Sequence, residues 1–167
     1  TNEEERRNTD YWELLNEADP PGVTGWRNFG TFLIAVVNEA SRRGLKMALP
    51  GLNRGTPEWD EMVAFVETGL FSVLKAAGGI LTAHEGVFNT SPMNEGFGDI
   101  IPGAPVVPGA GSIVFRYRYL YHLLKQRDEV VPLVISEWYS SYLDSPAEVR
   151  RRAAWYDEEC SKDYYVW

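Results

Sequence analysis

Two glutamates in this chain directly follow apolar runs. Glu17 ends the stretch YWELLNE at residues 11–17 and is followed by Pro20-Pro21-Gly22; Glu137 follows VPLVIS at residues 131–136 and precedes Trp138. An apolar run that stops at a carboxylate reads as a buried strand delivering a charge to its rim. In parallel α/β folds the carboxyl ends of the strands line the active face, so both glutamates are expected to point into one cleft from different strands. Two carboxylates facing each other can cleave a glycosidic bond. One protonates the leaving oxygen while the other attacks, or activates water at, the anomeric carbon.

The elements needed to hold them in place are legible between the two motifs. Phe29, Phe32, Leu33, Val36, Val37 and Ala40 recur at three- and four-residue steps, the stripe of an amphipathic helix. Arg42, Arg43 and Gly44 close it, with cations at the negative dipole end and a glycine able to take the left-handed cap. Residues 46–49 read as a short strand. Thr56-Pro57-Glu58 reads as a helix start with Thr56 as the capping hydroxyl, followed by Trp59, Met62, Val63 and Val66 facing inward. Residues 80–84 read as a strand, residues 113–125 as a helix, and residues 131–136 as an almost wholly apolar strand. Ser145-Pro146-Ala147-Glu148 is a capping box that opens a further helix, and the chain ends on the strand-like Tyr164-Tyr165-Val166-Trp167. Short apolar strands alternating with helices mark parallel βα units covered by helices.

Composition narrows the partners. At 167 residues and 44% hydrophobic the chain can bury one core, so a single domain, 1–167, is expected. A net charge of -8 disfavours nucleic acid and anionic membrane surfaces, and no apolar run approaches the roughly 20 residues that cross a bilayer. The lone Cys160 cannot form an internal disulfide. His84-Glu85 is too thin a signal for a metal site, and no P-loop, GxGxxG or GxSxG element opens a helix, so neither metal nor cofactor is expected. Residues 86–111, dense in Gly and Pro, read either as a lid over the carboxyl end of the preceding strand, near His84, or as a divergent insertion.

Trp12-Glu13-Leu14-Leu15-Asn16-Glu17 and Ile135-Ser136-Glu137-Trp138 resemble strands four and seven of the clan A glycoside hydrolases, which are retaining (β/α)8 barrels. The resemblance implies that Asn16 hydrogen-bonds the sugar 2-hydroxyl, that Glu17 is the acid/base and that Glu137 is the nucleophile. His84 and Trp167 stand where the family often places a strand-six His or Tyr and a strand-eight Trp that line the pocket. Trp138 and Tyr139, next to Glu137, are further candidates to contact a sugar ring. The fold implied is α/β, a partial TIM (β/α)8 barrel of parallel strands with helices on the outer side. It would cover strands four to eight, since a whole barrel takes about 250 residues. Those strands should form an open five-stranded parallel sheet with unpaired edges. The function implied is a retaining glycoside hydrolase acting on a carbohydrate substrate; the alternative is a non-catalytic carbohydrate-binding or degenerate barrel protein.

Overall fold

The computed structural model of the chain describes residues 3–87 and 91–167. Its elements are α1 (Glu3–Asn8), β1 (Trp12–Glu13), α2 (Gly22–Arg42), β2 (Met47–Ala48), α3 (Trp59–Glu67), α4 (Leu70–Ala76), β3 (Leu81–Gly86), α5 (Tyr117–Gln126), β4 (Leu133–Tyr139) and α6 (Pro146–Cys160). The architecture is mixed α/β, and its named strands pair in parallel, β1 with β2 and β3 with β4. Isolated parallel bridges Ala48↔Ile80 and Leu52↔Ala83 join the β2 region to β3, and Leu133↔Val166 joins β4 to the end of the chain. Strand order in space therefore follows strand order in sequence, as right-handed βα crossovers produce.

Several expectations are corrected by these elements. In place of a continuous five-stranded sheet there are two strand pairs linked by bridges. The run at residues 11–17 is a strand only over Trp12–Glu13, because the chain leaves β1 for a turn on the way to Pro20-Pro21. The last residues make a single bridge rather than a strand. The cap of α3 is Glu58, not Thr56: the Glu58 N–H donates to Glu61 Oε2 at 2.8 Å, and that side-chain acceptor three residues on fixes the first turn. Helix α5 starts four residues later than its apolar pattern suggests, since Phe115 sits at φ 58° in the left-handed region. Helix α4 was not anticipated from the pattern at all.

The core lies between the strands and the helices. On α2 the residues Trp26, Gly30, Leu33, Val37 and Ala40 are buried, alternating four- and three-residue steps on one face. Trp26 meets Phe65 of α3 edge to face, with ring centroids 5.1 Å apart, and Phe65 meets Phe71 of α4 at 5.4 Å. Each such side chain contributes about 1.5–3 kcal/mol through its burial. Past its last turn α2 closes in a Schellman motif. Gly44, at φ 71°, donates to Ser41 O at 3.0 Å, and Leu45 donates to Ala40 O at 2.9 Å. That stop turns the chain into β2 and sets the β1–β2 pair.

The segment at residues 86–111 cannot be followed throughout, since residues 88–90 lie outside those described. Its described part folds back onto α5 and α6. Phe97 stands edge-on to Trp155 at 5.8 Å, the Tyr119 hydroxyl donates to Asp99 O at 3.2 Å, and Arg118 Nη1 donates to Gly109 O at 2.6 Å. At its near end Glu95 pairs with Arg54, which follows β2, at 2.5 Å.

Candidate functional site

A one-residue irregularity in β4 decides which side chains face which. The pairing runs Thr82↔Val134 and Ala83↔Ile135, then jumps to His84↔Glu137, Glu85↔Trp138 and Gly86↔Tyr139. Ser136 is the extra residue, a β-bulge. Had the register run on unshifted past Ile135, Glu137 would pair with Glu85 and project from the opposite face. With the bulge, Glu137 shares a face with His84, while Glu85 and Trp138 share the other.

The turn after β1 brings Glu17 to the same face. Glu17 is itself in the left-handed region at φ 52°, which costs a residue with a Cβ about 1–2 kcal/mol. Its N–H donates to Gly51 O at 3.0 Å, which holds that conformation. Gly51 is at φ 65°, and a Cβ there would lie 2.4 Å from Leu15 O, so only glycine lets the turn sit this close. Gly51 N–H in turn donates to Thr82 Oγ1 at 3.0 Å, on β3 two residues before His84. Turn, β2 loop and β3 are thereby locked together.

These constraints bring Glu17, His84 and Glu137 together. His84 Nδ1 lies 3.0 Å from Glu17 Oε1, and His84 Nε2 lies 3.7 Å from Glu137 Oε1. One ligand atom from each of the three residues falls within 4.8 Å of the other two. The histidine side chain is 1% exposed, whereas Glu17 is 35% and Glu137 56% exposed, so a buried imidazole sits beneath two carboxylates that reach solvent. On the exposed surface nearby, Ser136 Oγ lies 3.5 Å from Glu13 Oε1. Since Glu13 is on β1 and Ser136 on β4, side chains of the first and last named strands reach each other.

Tyr139, two residues beyond Glu137, lies close to the cluster. Burial lifts its hydroxyl above the ordinary phenol range. The Arg54 guanidinium, which hydrogen-bonds to it, opposes that rise, and the charges of Glu17 and Glu85 add to it. Arg54 also donates to Gly86 O at 3.5 Å, so it ties the β2 loop to the end of β3 as well as to Glu95. Asn16 is exposed beside Glu17.

Two sequence candidates fall elsewhere. Trp138 projects from the face opposite Glu137 and packs against Tyr156 of α6, ring centroids 6.0 Å apart. Trp167 is exposed and donates from its backbone to Leu133 O, at the first residue of β4. Glu137 is four residues further along, or about 13 Å at the rise of a strand. Conversely, the sequence did not single out Arg54, and it offered Glu85 only as an insufficient metal signal beside His84. Glu85 is 3% exposed, and burial pushes its carboxyl up to about 8 against the Phe115 N–H that donates to it at 3.0 Å. The alternation of a strand, applied to His84-Glu85-Gly86, was the signal that these neighbours face opposite ways.

Fold and cluster together define an α/β protein with paired carboxylates at the carboxyl ends of parallel strands. Comparison with protein-family models, curated proteins and solved structures found no match to this chain. Among the described residues no helix is long and apolar enough to cross a membrane.

Proposed function

We propose that this chain is the C-terminal part of a (β/α)8 barrel of the clan A type and acts as a retaining glycoside hydrolase, with Glu17 as acid/base and Glu137 as nucleophile. One observation carries the reading: Glu17 and Glu137, from separate strand ends, converge on His84 with carboxylate oxygens within 4.8 Å of each other. A retaining pair sits about 5–5.5 Å apart, whereas an inverting pair leaves about 6.5–9.5 Å for a water. At most 4.8 Å separates the nearer oxygens here, closer to the retaining spacing than to the inverting one.

In this mechanism the Glu137 carboxylate attacks the anomeric carbon as Glu17 passes a proton to the departing glycosidic oxygen. Glu17 Oε1 already accepts from His84 Nδ1, which leaves Oε2 to carry the proton. In the second step Glu17 takes a proton from water, the water attacks the anomeric carbon, and the bond to Glu137 breaks. Tyr139 and Asn16 stand at the rim, where a sugar hydroxyl would find them.

The test is hydrolysis of a panel of aryl β-glycosides by the protein, with the anomer of the first product read by NMR. A β product supports the reading. An α product overturns the retaining mechanism, and binding without turnover points to the carbohydrate-binding alternative.

A further inference from the structure

The protons around His84 leave a gap of definite chemistry. Nδ1 lies 3.0 Å from a carboxylate oxygen, so in the neutral ring it is Nδ1 that carries the hydrogen and donates to Glu17. Nε2 then holds a lone pair. It faces Glu137 Oε1 at 3.7 Å, too far for a hydrogen bond and, between two acceptors, of the wrong polarity for one. Two electron-pair donors thus confront each other, one on a side chain 1% exposed and fixed in place, the other reaching solvent.

We propose that this gap is a Zn2+ site, with His84 Nε2 and the Glu137 carboxylate as ligands, Glu17 orienting the imidazole, and water completing the coordination. The ion blocks the cleft, so it inhibits the proposed hydrolysis; that last clause rests on the glycosidase reading, while the binding does not.

The dimensions agree. Zinc binds imidazole nitrogen at about 2.0–2.1 Å and carboxylate oxygen at about 2.0–2.2 Å, which at a tetrahedral angle sets the two donors roughly 3.4 Å apart. The observed 3.7 Å needs only a small closing movement of the exposed Glu137 side chain. The carboxylate that accepts from the other ring nitrogen is the arrangement that holds a metal-bound histidine in one tautomer and raises its basicity. An imidazole ligand favours zinc over magnesium or calcium, which prefer oxygen donors throughout.

Calorimetric titration of the full chain with zinc chloride, near neutral pH in a non-chelating buffer, tests the site. One saturable equivalent is expected in the parent protein. Glu137→Gln, an exposed change that spares the fold, should abolish it. Glu17→Gln should weaken it roughly 10–100-fold, and Glu39→Gln, near the end of α2 where Glu39 pairs with Arg42 and Arg43, should leave it unchanged. Absence of saturable binding, equal binding to Glu137→Gln, or equal binding of magnesium would overturn the site. Aryl glycoside hydrolysis measured with and without zinc separates the two readings. Zinc binding without any hydrolysis keeps the site and removes the glycosidase; hydrolysis without zinc binding does the reverse. Hydrolysis that persists at saturating zinc overturns the inhibition.

Discussion

His84 of β3 and Glu17, in the turn after β1, are joined by a 3.0 Å contact between Nδ1 and Oε1 across 67 residues of chain. The imidazole is buried and its carboxylate partner is half-buried, so the bond works in a less polar setting than water and fixes the rotamer of Glu17. The positions of the proposed acid and nucleophile are thereby coupled, since His84 also sits opposite Glu137 in the β3–β4 register.

Removing that bond should uncouple them. His84→Phe keeps the bulk and burial of the ring but offers Glu17 no donor. The expected result is a folded protein whose kcat/KM falls by about 100-fold on substrates with poor leaving groups, because a misplaced acid protonates them badly. Substrates with good leaving groups should lose much less. A graded series of aryl glycosides measures this, and an equal loss across the series would show that His84 does not act through Glu17.

Glu85 makes stability depend on pH. Its carboxyl is pushed up from the ordinary 4.5 to about 8 in the folded state, chiefly by burial. Between those values the folded chain holds a proton that the unfolded chain releases. Its contribution to stability is therefore complete below about pH 4.5 and declines as pH rises through 8, with a slope of at most about 1.4 kcal/mol per pH unit. Glu85→Gln keeps an oxygen to accept from Phe115 and should flatten this dependence. Denaturant unfolding of both proteins across that window is the measurement; identical slopes would contradict it.

The sequence shows the helices and strands well where periodicity and caps agree, and less well where tertiary contacts decide. Most of the α2 stripe (Leu33, Val37 and Ala40, though not the half-exposed Phe32) and its Gly44 stop are written in local residue types, and so are the Ser145 cap of α6 and the apolar run of β4. The turn that carries Glu17 is not. It depends on Gly51, 34 positions away, and on the left-handed backbone of Glu17 itself. Nor is the Ser136 bulge legible, since nothing in ISEW says that the register slips there, yet that slip puts Glu137 on the face of His84 and turns Trp138 away from it. Both glutamates could thus be singled out from sequence, while the geometry that joins them is a property of the pairing.

Helix packing offers a check on the core. Gly30 of α2 faces Thr68 just past α3, and a Cβ at position 30 would stand 2.5 Å from Thr68 Oγ1 and 2.7 Å from its Cγ2. Thr68 has little freedom to retreat, because its hydroxyl donates to Phe65 O at 2.6 Å. In a free helix Gly→Ala would stabilise by about 1 kcal/mol, but the overlap costs about 1–3 kcal/mol. Gly30→Ala should therefore lower the melting temperature by a few degrees. Thr68→Ala made in the same chain should recover part of the loss, which a thermodynamic double-mutant cycle would detect as coupling between the two positions.

The roles of the two glutamates separate by rescue with a small external nucleophile. Under the proposed mechanism no glycosyl-enzyme can form in Glu137→Ala, so turnover should vanish. Azide fits the space the carboxylate leaves and can attack the anomeric carbon directly as Glu17 protonates the leaving oxygen. A single displacement from a β-glycoside gives the α-glycosyl azide. In Glu17→Ala the nucleophile is intact, and an activated aryl glycoside, whose leaving group needs little protonation, still forms the glycosyl-enzyme. The second step then slows for want of a base to take the proton from water, by about 10²–10⁴-fold. Azide needs no base, so it should attack the glycosyl-enzyme and release the β-glycosyl azide, with configuration retained after two displacements. NMR of the products distinguishes the anomers. Opposite stereochemistry in the two variants would exchange the roles of Glu17 and Glu137. Failure of azide to rescue either one, with both still folded and able to bind substrate, would count against the double-displacement mechanism.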